Sequence, residues 1–453
     1  MSDTPQLRRS GWQRPRIQWL RFRFQWLRFR SRWLRPRRAP RMVSRLAAVA
    51  ALAALSSCDD DHDCCYNYYQ NSTPYEVSYG MVGAGFSAPG AANPISIVQT
   101  NIVKGGGGPY TGTLMSYLYT GPATFAAPVV TSAGDNPLYL AVGDFNGDDL
   151  TDVVAASYDD GALEVFFNNA KTPGTFNPPL VLASPGASQV AVADMNGDGL
   201  ADLVSADYNV SLFLQSSPGT FAAPITLYTG GANWVAVGDL NNDGIPDVAL
   251  TDNLGVKLLL HTGAAGATTY AAPVTVFTAT ATSDYIGANL IAIADVNGDG
   301  LKDLVITDPG PAGGAAPTVS VLLQDAAAPG TFLAPVAYAT AAGSLAQDIK
   351  VQDVNDDGLP DIVIGGSGAV SVLLQNPATP GTFLAATNYT VQDANQIVIA
   401  DVHDSSLVAG LPDIIVSTGP THPVVNGVIT NHPGVLKSIA TAPGTFTALQ
   451  DLP

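Results

Sequence analysis

Five segments of the chain carry aspartate and asparagine side chains at one fixed spacing. Counted from the first aspartate, each has an oxygen-bearing side chain at loop positions 1, 3, 5 and 9 and an aliphatic residue at position 7. The polar side chains and the main-chain carbonyl of position 7 are candidate metal ligands. The residues are Asp144, Asn146, Asp148, Leu150 and Asp152; Asp194, Asn196, Asp198, Leu200 and Asp202; Asp239, Asn241, Asp243, Ile245 and Asp247; Asp295, Asn297, Asp299, Leu301 and Asp303; and Asp353, Asn355, Asp357, Leu359 and Asp361.

This set of donors suits a hard cation. Ca²⁺ takes about six to eight oxygen ligands from carboxylates, amides and backbone carbonyls. Three carboxylates within one short loop would repel one another if no cation lay between them. The spacing therefore predicts about five Ca²⁺ sites. The alternative is a series of Asx turns that hold the loops without metal. An EF-hand is excluded, because that motif needs a glutamate at position 12 and flanking helices.

Two copies of the loop depart from the pattern. In the first copy Asp149 replaces the glycine of position 6, which predicts a strained backbone there. A sixth, degenerate copy contains Asp401, His403 and Asp413, and its end-to-end spacing is 12 residues rather than 8. Histidine is a poor Ca²⁺ ligand, so Asp401 and Asp413 are only weak metal candidates.

The loops belong to a longer repeat. Each lies between short β-branched runs and alternates with a turn such as Pro218-Gly219-Thr220-Phe221, whose aromatic ring we expect to pack between repeats. Four short strands in about 50 residues is the size of a propeller blade. The sequence thus predicts an all-β fold, a β-propeller with seven blades of four antiparallel strands, six or eight being the alternatives. We expect strands from the two chain ends to pair and close the ring.

The repeated Asp-x-Asn-x-Asp-Gly-x-x-Asp loop, followed by Gly-Thr-Phe-x-Ala-Pro, resembles the FG-GAP/VCBS repeat family, the propeller type also found in integrin α-chains. The resemblance extends over residues 76–453, although the FG and GAP tripeptides are kept only as Thr-Phe and Ala-Ala-Pro or Leu-Ala-Pro. It implies a Ca²⁺-binding, extracytoplasmic propeller with a role in adhesion or ligand binding.

Charge divides the chain into two parts. Residues 1–41 hold 13 of the 20 lysines and arginines, in a low-complexity Arg/Trp heptad repeat that is either a basic arm or untranslated sequence upstream of the true start. From Cys58 onward there are six lysines, no arginine and nearly all of the 38 acidic residues. A body this acidic repels the phosphate backbone, which argues against nucleic-acid binding.

A targeting segment precedes the acidic body. Residues 42–57 have a short basic start and a ten-residue apolar run, Leu46 to Leu55, as in a signal peptide. Leu55-Ser56-Ser57-Cys58 resembles the bacterial lipobox, which implies a lipid on Cys58 and a periplasmic or cell-surface location in the envelope. An ordinary secretory signal is the alternative. Residues 58–75 then form an Asp-rich tether, and residues 76–453 form the propeller.

These features favour a lipid-anchored, monomeric module for binding, adhesion or scaffolding, with a glycan or a surface protein as partner and no catalytic residues. A polysaccharide lyase or hydrolase is the alternative, but it needs an acid–base set, and the body has no arginine and two glutamates. Its histidines are His261, His403, His422 and His432. A purely structural envelope protein is the third reading. Residues 278–288 and 309–316, where the repeats differ most, are candidates for a ligand site.

Overall fold

The structure is a computed structural model. The chain divides into Met1–Gln70 and Asn71–Pro453, and every described residue lies in the second unit. The predicted heptad repeat, signal peptide and Cys58 therefore lie outside the described residues, as does nearly all of the tether. The described residues are 75–77, 80–84, 96–104, 110–121, 124–169, 171–172, 174–252, 254–264, 266–278, 290–309, 317–341, 346–402, 411–418, 433–439, 442–448 and 450–451.

The described residues form thirty strands and no helix, and none of them offers a helical stretch that could cross a membrane. Antiparallel pairing groups the strands into seven blades. Blade 1 has β1 (Tyr75–Val77), β2 (Met81–Ala84), β3 (Ser96–Lys104), β4 (Tyr110–Gly121), β5 (Thr124–Phe125) and β6 (Val129–Ala133); blade 2 has β7 (Pro137–Gly143), β8 (Asp152–Ser157), β9 (Ala162–Phe166) and β10 (Leu180–Ala183); blade 3 has β11 (Gln189–Ala193), β12 (Asp202–Ala206), β13 (Val210–Phe213), β14 (Gln215–Ser217), β15 (Thr220–Phe221) and β16 (Ile225–Tyr228); blade 4 has β17 (Trp234–Gly238), β18 (Asp247–Asp252), β19 (Gly255–Leu259) and β20 (Val274–Thr278); blade 5 has β21 (Ile291–Ala294), β22 (Asp303–Asp308), β23 (Thr318–Leu322) and β24 (Val336–Ala339); blades 6 and 7 have β25 (Ala346–Gln352), β26 (Asp361–Leu373), β27 (Thr387–Ala400), β28 (Asp413–Thr418), β29 (Gly434–Leu436) and β30 (Gln450–Asp451).

Small irregularities hide the four-stranded plan of some blades. In blade 1, β1 and β2 both pair with β3 and so form one interrupted first strand. The long β26 pairs with β25 through residues 361–366 and with β27 from residue 367 on, so it serves as the second and third strands of blade 6. Likewise β27 is the last strand of blade 6 and, from Ala394, the first strand of blade 7. The predicted fold of seven four-stranded antiparallel blades is confirmed.

The central strands of each blade are buried on both faces, because another blade packs on each side. In β8, Val153 and Ala155 belong to the hydrophobic cluster shared with blade 1. Val154 and Ala156, on the opposite face, belong to the cluster shared with blade 3. This alternation follows from the two-residue period of a strand, and it explains why these runs are apolar at nearly every position.

In the part of the chain that the structure describes, seven hydrophobic clusters hold the blades together, one at each interface. They join Val98 with Leu140 (blades 1 and 2), Val154 with Val190 (blades 2 and 3), Val204 with Val235 (blades 3 and 4), Leu258 with Leu304 (blades 4 and 5), Val305 with Ile362 (blades 5 and 6), Val370 with Ile414 (blades 6 and 7) and Met81 with Val398 (blades 1 and 7). The last cluster closes the ring, so the core of the protein is these seven interfaces.

Polar and aromatic side chains from the first strands meet near the centre of the propeller. The ring of Tyr139 in blade 2 meets Trp234 of blade 4 edge-on at 5.1 Å, and Tyr139 also hydrogen-bonds Gln189 and Gln396. Lys350 pairs with the fully buried Asp348 at 2.9 Å. Burial by itself lowers the pKa of Lys350, but the Asp348 charge and hydrogen bonds to Asp348 and Tyr139 raise it overall. These contacts connect blades that are not neighbours in the ring.

In the described part of the chain, the ring does not close by the strand pairing between the two chain ends that the sequence predicts. Among the described residues, no strand from one chain end pairs with a strand from the other. The C-terminal segment completes blade 7 by itself, because β30 supplies its fourth strand. Blades 1 and 7 meet through side chains instead: the Met81 N–H donates to Gln396 Oε1, and a Cβ added at Gly83 would lie 2.4 Å from Val398 Cγ1.

This close approach predicts that Gly83→Ala destabilises the ring closure. The added methyl overlaps a stiff β-branched side chain, which costs about 1–3 kcal/mol of unfolding free energy. Val398→Ala removes the overlapping methyl, so the double variant should be less destabilised than the sum of the two single variants. Urea unfolding of the three variants measures this coupling, and additive losses would show that blades 1 and 7 do not meet at this point.

Candidate functional site

The five acidic loops occupy equivalent places in blades 2 to 6. Each connects the first strand of its blade to the second; for example, Asp194 follows β11 and Asp202 opens β12. Because the blades are equivalent, these connections lie at one end of the propeller, which we call the acidic end. The degenerate copy occupies the same place in blade 7, between β27 and β28, where Asp401 and Asp413 are described and His403 lies outside the described residues.

The aspartate at position 1 folds the loop around its own carboxylate. In blade 3, Asp194 Oδ1 accepts hydrogen bonds from the N–H groups of Gly197 at 2.7 Å and Asp198 at 3.0 Å. Its Oδ2 accepts one from Gly199 at 2.7 Å. The position-1 aspartates of the other four loops accept equivalent bonds. One carboxylate therefore satisfies a series of backbone donors and fixes the turn.

Positions 3 and 5 are joined to each other. Asn196 Nδ2 donates to Asp198 Oδ2 at 2.9 Å, and the Asp198 N–H donates to Asn196 Oδ1 at 2.9 Å. Asp198 Oδ1 in turn accepts the N–H of Leu200 at 2.9 Å. Asp198 is exposed. This pair places two further oxygen-bearing side chains beside the position-1 carboxylate, at the surface.

The position-9 aspartates are the best-buried part of the site. Asp202 has no exposed surface; its Oδ2 accepts the N–H of Met195 at 2.9 Å and its Oδ1 that of Gln215 at 2.7 Å. Met195 is position 2 of the loop, and Gln215 follows the third strand. Asp152, Asp247, Asp303, Asp361 and Asp413 make the same two bonds. Each position-9 carboxylate therefore ties its loop to the third strand of the blade.

Burial raises the pKa of these buried carboxyls. The pKa rises to about 6 in Asp152, Asp202, Asp247, Asp303 and Asp361, chiefly because burial removes water from the charged form. The two backbone hydrogen bonds oppose this rise, while the negative charges at positions 5 and 1 add to it. The three carboxylates of a loop thus lie close enough to repel one another, which a bound cation would relieve.

The donor chemistry fits a hard cation, since the loops offer oxygen only. The geometry is less complete. Both oxygens of each position-9 carboxylate already accept backbone hydrogen bonds, and among the described residues no three His, Cys, Asp or Glu side chains converge as a ready metal site. Carboxylate oxygens keep a second lone pair beside such bonds. The side chains at positions 1, 3 and 5 also accept hydrogen bonds, but they are less buried than position 9 and are therefore the residues most open to an ion.

Asp149 lies where the other loops have glycine. Its φ is 61°, in the left-handed region, while the glycines at the same loop position, such as Gly199, have φ near 86°. Aspartate is one of the few residues other than glycine that enter this region at modest cost. The backbone at Asp149 therefore has the predicted unusual conformation, and aspartate tolerates it at modest cost.

A glutamine outside the predicted site residues links neighbouring loops. Gln375, which follows the third-strand part of β26, donates from Nε2 to the carbonyl of Val296 in blade 5 at 2.7 Å and to Pro360 in its own blade at 2.9 Å. Its backbone N–H is the one bound by Asp361. Gln215 and Gln324 reach the loops of blades 2 and 4 in the same way. Their signal is a glutamine after two large apolar residues, as in Leu373-Leu374-Gln375.

The Pro-Gly-Thr-Phe turns support the acidic loops from the next blade. A Cβ at Gly381 would lie 3.0 Å from that of Asn297, and one at Gly444 would lie 3.3 Å from that of Asn355. The phenylalanines pack across the interfaces: Phe383 meets Tyr338 edge-on at 5.7 Å. The expected role of this turn, with an aromatic ring between blades, is confirmed.

The histidines proposed for an enzyme do not form a site in the described part of the chain. His261 is buried, with 2% of its surface exposed, and its ring meets Tyr270 edge-on at 5.6 Å. It takes the place that glutamine has in other blades, and its N–H donates to Asp247. His403, His422 and His432 lie outside the described residues, as do most of residues 278–288 and 309–316.

Comparison with known proteins agrees with the repeat structure. Three FG-GAP-like repeats match at residues 144–205, 200–250 and 239–306, which span the loops of blades 2 to 5. No curated protein is significantly similar to this chain in sequence. The predicted resemblance to FG-GAP repeats is confirmed over residues 144–306.

Several solved structures are similar at low identity. A lectin from Agrocybe aegerita that recognises non-reducing terminal N-acetylglucosamine has a TM-score of 0.47 and 19% identity, over 70% of this chain and 80% of the lectin. A protein from Lactobacillus plantarum has a TM-score of 0.48 and 12% identity, over 84% and 96%. The V. cholerae biofilm matrix protein Bap1 has a TM-score of 0.40 and 11% identity, over 83% and 89%. Such similarities say nothing about ligands.

The glutamine links predict that Gln375→Leu lowers the unfolding free energy by about 2–3 kcal/mol, since two buried carbonyls lose their donor. Gln352→Leu is the matched control, because Gln352 is exposed and a surface substitution should change stability by less than about 0.5 kcal/mol. Chemical denaturation of both variants gives the difference. Equal stability of the two would show that the link between blades 5 and 6 carries no energy.

Proposed function

We propose that this FG-GAP-repeat propeller is a calcium-stabilised binding module whose partner is a glycan or a surface protein. The observation that carries the proposal is the fivefold repetition of one acidic loop with the same hydrogen bonds at one end of the propeller. A merely solvated acidic surface would not need the same carboxylates at the same loop positions in five blades. Anchoring through a lipid on Cys58 stays a prediction from the sequence.

The residues that would hold Ca²⁺ are the side chains at positions 1, 3 and 5, together with the position-7 carbonyl and the position-9 carboxylate. When bound, the ion supplies positive charge among three carboxylates that otherwise repel one another. The position-9 carboxylate also binds the third strand, and in blades 3, 5 and 6 a glutamine links the end of that strand to the loop of the preceding blade. Calcium at the loops would therefore stabilise the blades and their interfaces together.

If the acidic end holds Ca²⁺, the opposite end of the propeller is available for a partner. The acidic loops and the Pro-Gly-Thr-Phe turns are engaged in contacts between blades. The turns between second and third strands, such as that around Tyr208, carry exposed side chains. Loops on a rigid scaffold are the usual place for binding residues.

Calcium should raise the thermal unfolding midpoint relative to EGTA, and Mg²⁺ should not, because Mg²⁺ demands stricter octahedral geometry and keeps its waters. At an ion concentration about 100 times the Kd, each occupied site adds about 2.7 kcal/mol of stability. Differential scanning calorimetry with each ion measures this. An unchanged midpoint in Ca²⁺ would contradict the metal proposal and leave the loops as Asx turns.

Two neighbouring aspartates of the blade 6 loop provide a matched pair for that experiment. Asp357→Asn changes position 5, a proposed ligand, and calorimetric titration should count about one Ca²⁺ fewer. Asp356→Asn removes the same charge at position 4, outside the proposed ligand set, and asparagine tolerates its φ of 59°. It should keep the number of bound ions unchanged. Equal loss in both variants would point to general electrostatic attraction rather than a defined site.

The binding role itself predicts that the purified protein, in Ca²⁺, binds at least one class of immobilised glycan or one purified surface protein at micromolar or better Kd. Loss of this binding in EGTA is expected, because the loops order the scaffold that presents the partner site. Failure to bind on both a glycan array and a surface-protein panel would contradict the binding role and favour a purely structural one.

A further inference from the structure

A groove lies between blades 2 and 3, at the end of the propeller opposite the acidic end. Strands β8 and β12 begin at the acidic loops, so the turns that follow them lie at the other end. The groove is open, measures about 370 Å³, and is lined by Tyr158, Asp159, Asp160, Gly161, Pro185, Gly186 and Tyr208. This volume is within the range of small-molecule sites, about 300–1,000 Å³.

One wall of the groove is an exposed aromatic ring held in place. Tyr208 is 62% exposed, so it contributes little to the core. Its ring nevertheless rests on the backbone of Gly186, where an added Cβ would lie 2.8 Å from Tyr208 Cε2. Gly186 has a φ of 79°, a left-handed conformation that favours glycine. The turn under the ring therefore requires glycine for two reasons: its backbone conformation and the lack of space for a side chain.

The turns that frame the groove are braced from below. Ser184 Oγ donates to Asp207 Oδ2 at 3.1 Å, which ties the turn between the blades to the turn that carries Tyr208. On the other side, a Cβ at Gly161 would lie 3.1 Å from Pro185 Cα. The two turns therefore touch through backbone atoms, and the groove is preformed.

Asp160, which also lines the groove, supplies a fixed hydrogen-bond acceptor. Asp160 is exposed, and its Oδ2 accepts the N–H of Asp135 at 2.7 Å. In the described part of the chain no donor contacts Asp160 Oδ1. Behind it, the buried Glu164 accepts the N–H of Gly134 at 2.7 Å and the hydroxyl of Ser157 at 2.9 Å. The groove thus pairs one aromatic face with one anchored carboxylate, in a strongly acidic neighbourhood.

We propose that this groove binds a neutral or amino sugar residue of a glycan. The electron-rich face of Tyr208 attracts the weakly positive C–H face of a sugar ring. The Asp160 carboxylate accepts a hydrogen bond from a sugar hydroxyl or ammonium group, a charge-assisted bond. The proposal deepens the proposed function, on which it rests, by naming the ligand class and the place.

The charge of the groove decides among the sugar classes. Asp159 and Asp160 line the groove, and their negative charges also act on the nearby Asp135. Uronic acids and sulfated sugars would be repelled by these carboxylates. Hexosamines and neutral hexoses carry no negative charge, and they offer hydroxyl or ammonium donors to the Asp160 carboxylate.

Saturation-transfer NMR on the full protein in Ca²⁺ tests the groove, with glucose, galactose, mannose, glucosamine, N-acetylglucosamine and glucuronic acid as probes. We expect binding of at least one neutral or amino sugar and none of glucuronic acid. Tyr208→Ala should weaken that binding about tenfold through loss of stacking, and Tyr208→Phe should keep it within about threefold. Asp160→Asn should weaken it about tenfold, because the charge-assisted bond is lost.

Leu254→Ala is the control for removing an exposed side chain from a turn outside the groove. Leu254 is 69% exposed in the matching turn of blade 4 and does not line the groove, so its loss should leave sugar binding unchanged. Circular dichroism checks that each variant folds. Because Tyr208 and Asp160 are exposed, loss of fold is not the expected cause of lost binding.

The outcomes separate the groove from the wider function. Sugar binding that survives both Tyr208→Ala and Asp160→Asn would overturn the groove while leaving a glycan-binding module. No sugar binding at millimolar concentrations, beside binding on the surface-protein panel, would overturn the sugar and keep the binding role. Preference for glucuronic acid would also overturn the proposal. Absence of binding in every assay would overturn both.

Discussion

The structure depends on a buried aspartate that accepts two backbone hydrogen bonds in each of six blades. Its carboxylate joins the loop after the first strand to the end of the third strand. A charged group with no exposed surface is costly to bury unless donors surround it, and here the surrounding N–H groups come from two separate segments. Each blade therefore cannot complete this site until three of its strands are in place.

Neighbouring blades are coupled through the same loops. Position 2 donates its N–H to the buried aspartate of its own blade, and in three blades its carbonyl accepts a hydrogen bond from the glutamine of the next. The Pro-Gly-Thr-Phe turn of that next blade packs on position 3. Polar links and apolar clusters thus lie at the same interfaces. Where histidine replaces the glutamine, in His261, a different polar link crosses the interface, because the Gly266 N–H of blade 4 donates to the Asn196 carbonyl of blade 3 at 2.7 Å.

The two ends of the propeller differ in what their residues contact. At the acidic end, carboxylates, amides and turns are engaged with one another and with the neighbouring blade, which suits a structural ion. At the opposite end, short turns present exposed side chains on a rigid base. A ligand that meets this end of the propeller is therefore offered a surface groove between blades 2 and 3.

The sequence alone determined the repeat, the all-β class and the position of the acidic loops, because short-range spacing controls strands, turns and clusters of like charge. It favoured seven blades but left six or eight open, and the structure decided the number. It did not determine the route of closure, because whether a last strand comes from one chain end or both depends on contacts between residues as distant as Gly83 and Val398. It also treated position 9 as one metal candidate among equals. Only the tertiary structure showed that this carboxylate is buried and already bound by N–H groups of Met195 and Gln215 in blade 3, because burial and long-range hydrogen bonds arise when separate strands are brought together. The groove of Tyr208 and Asp160 exists for the same reason: its walls are far apart in the chain and become neighbours only where two blades pack.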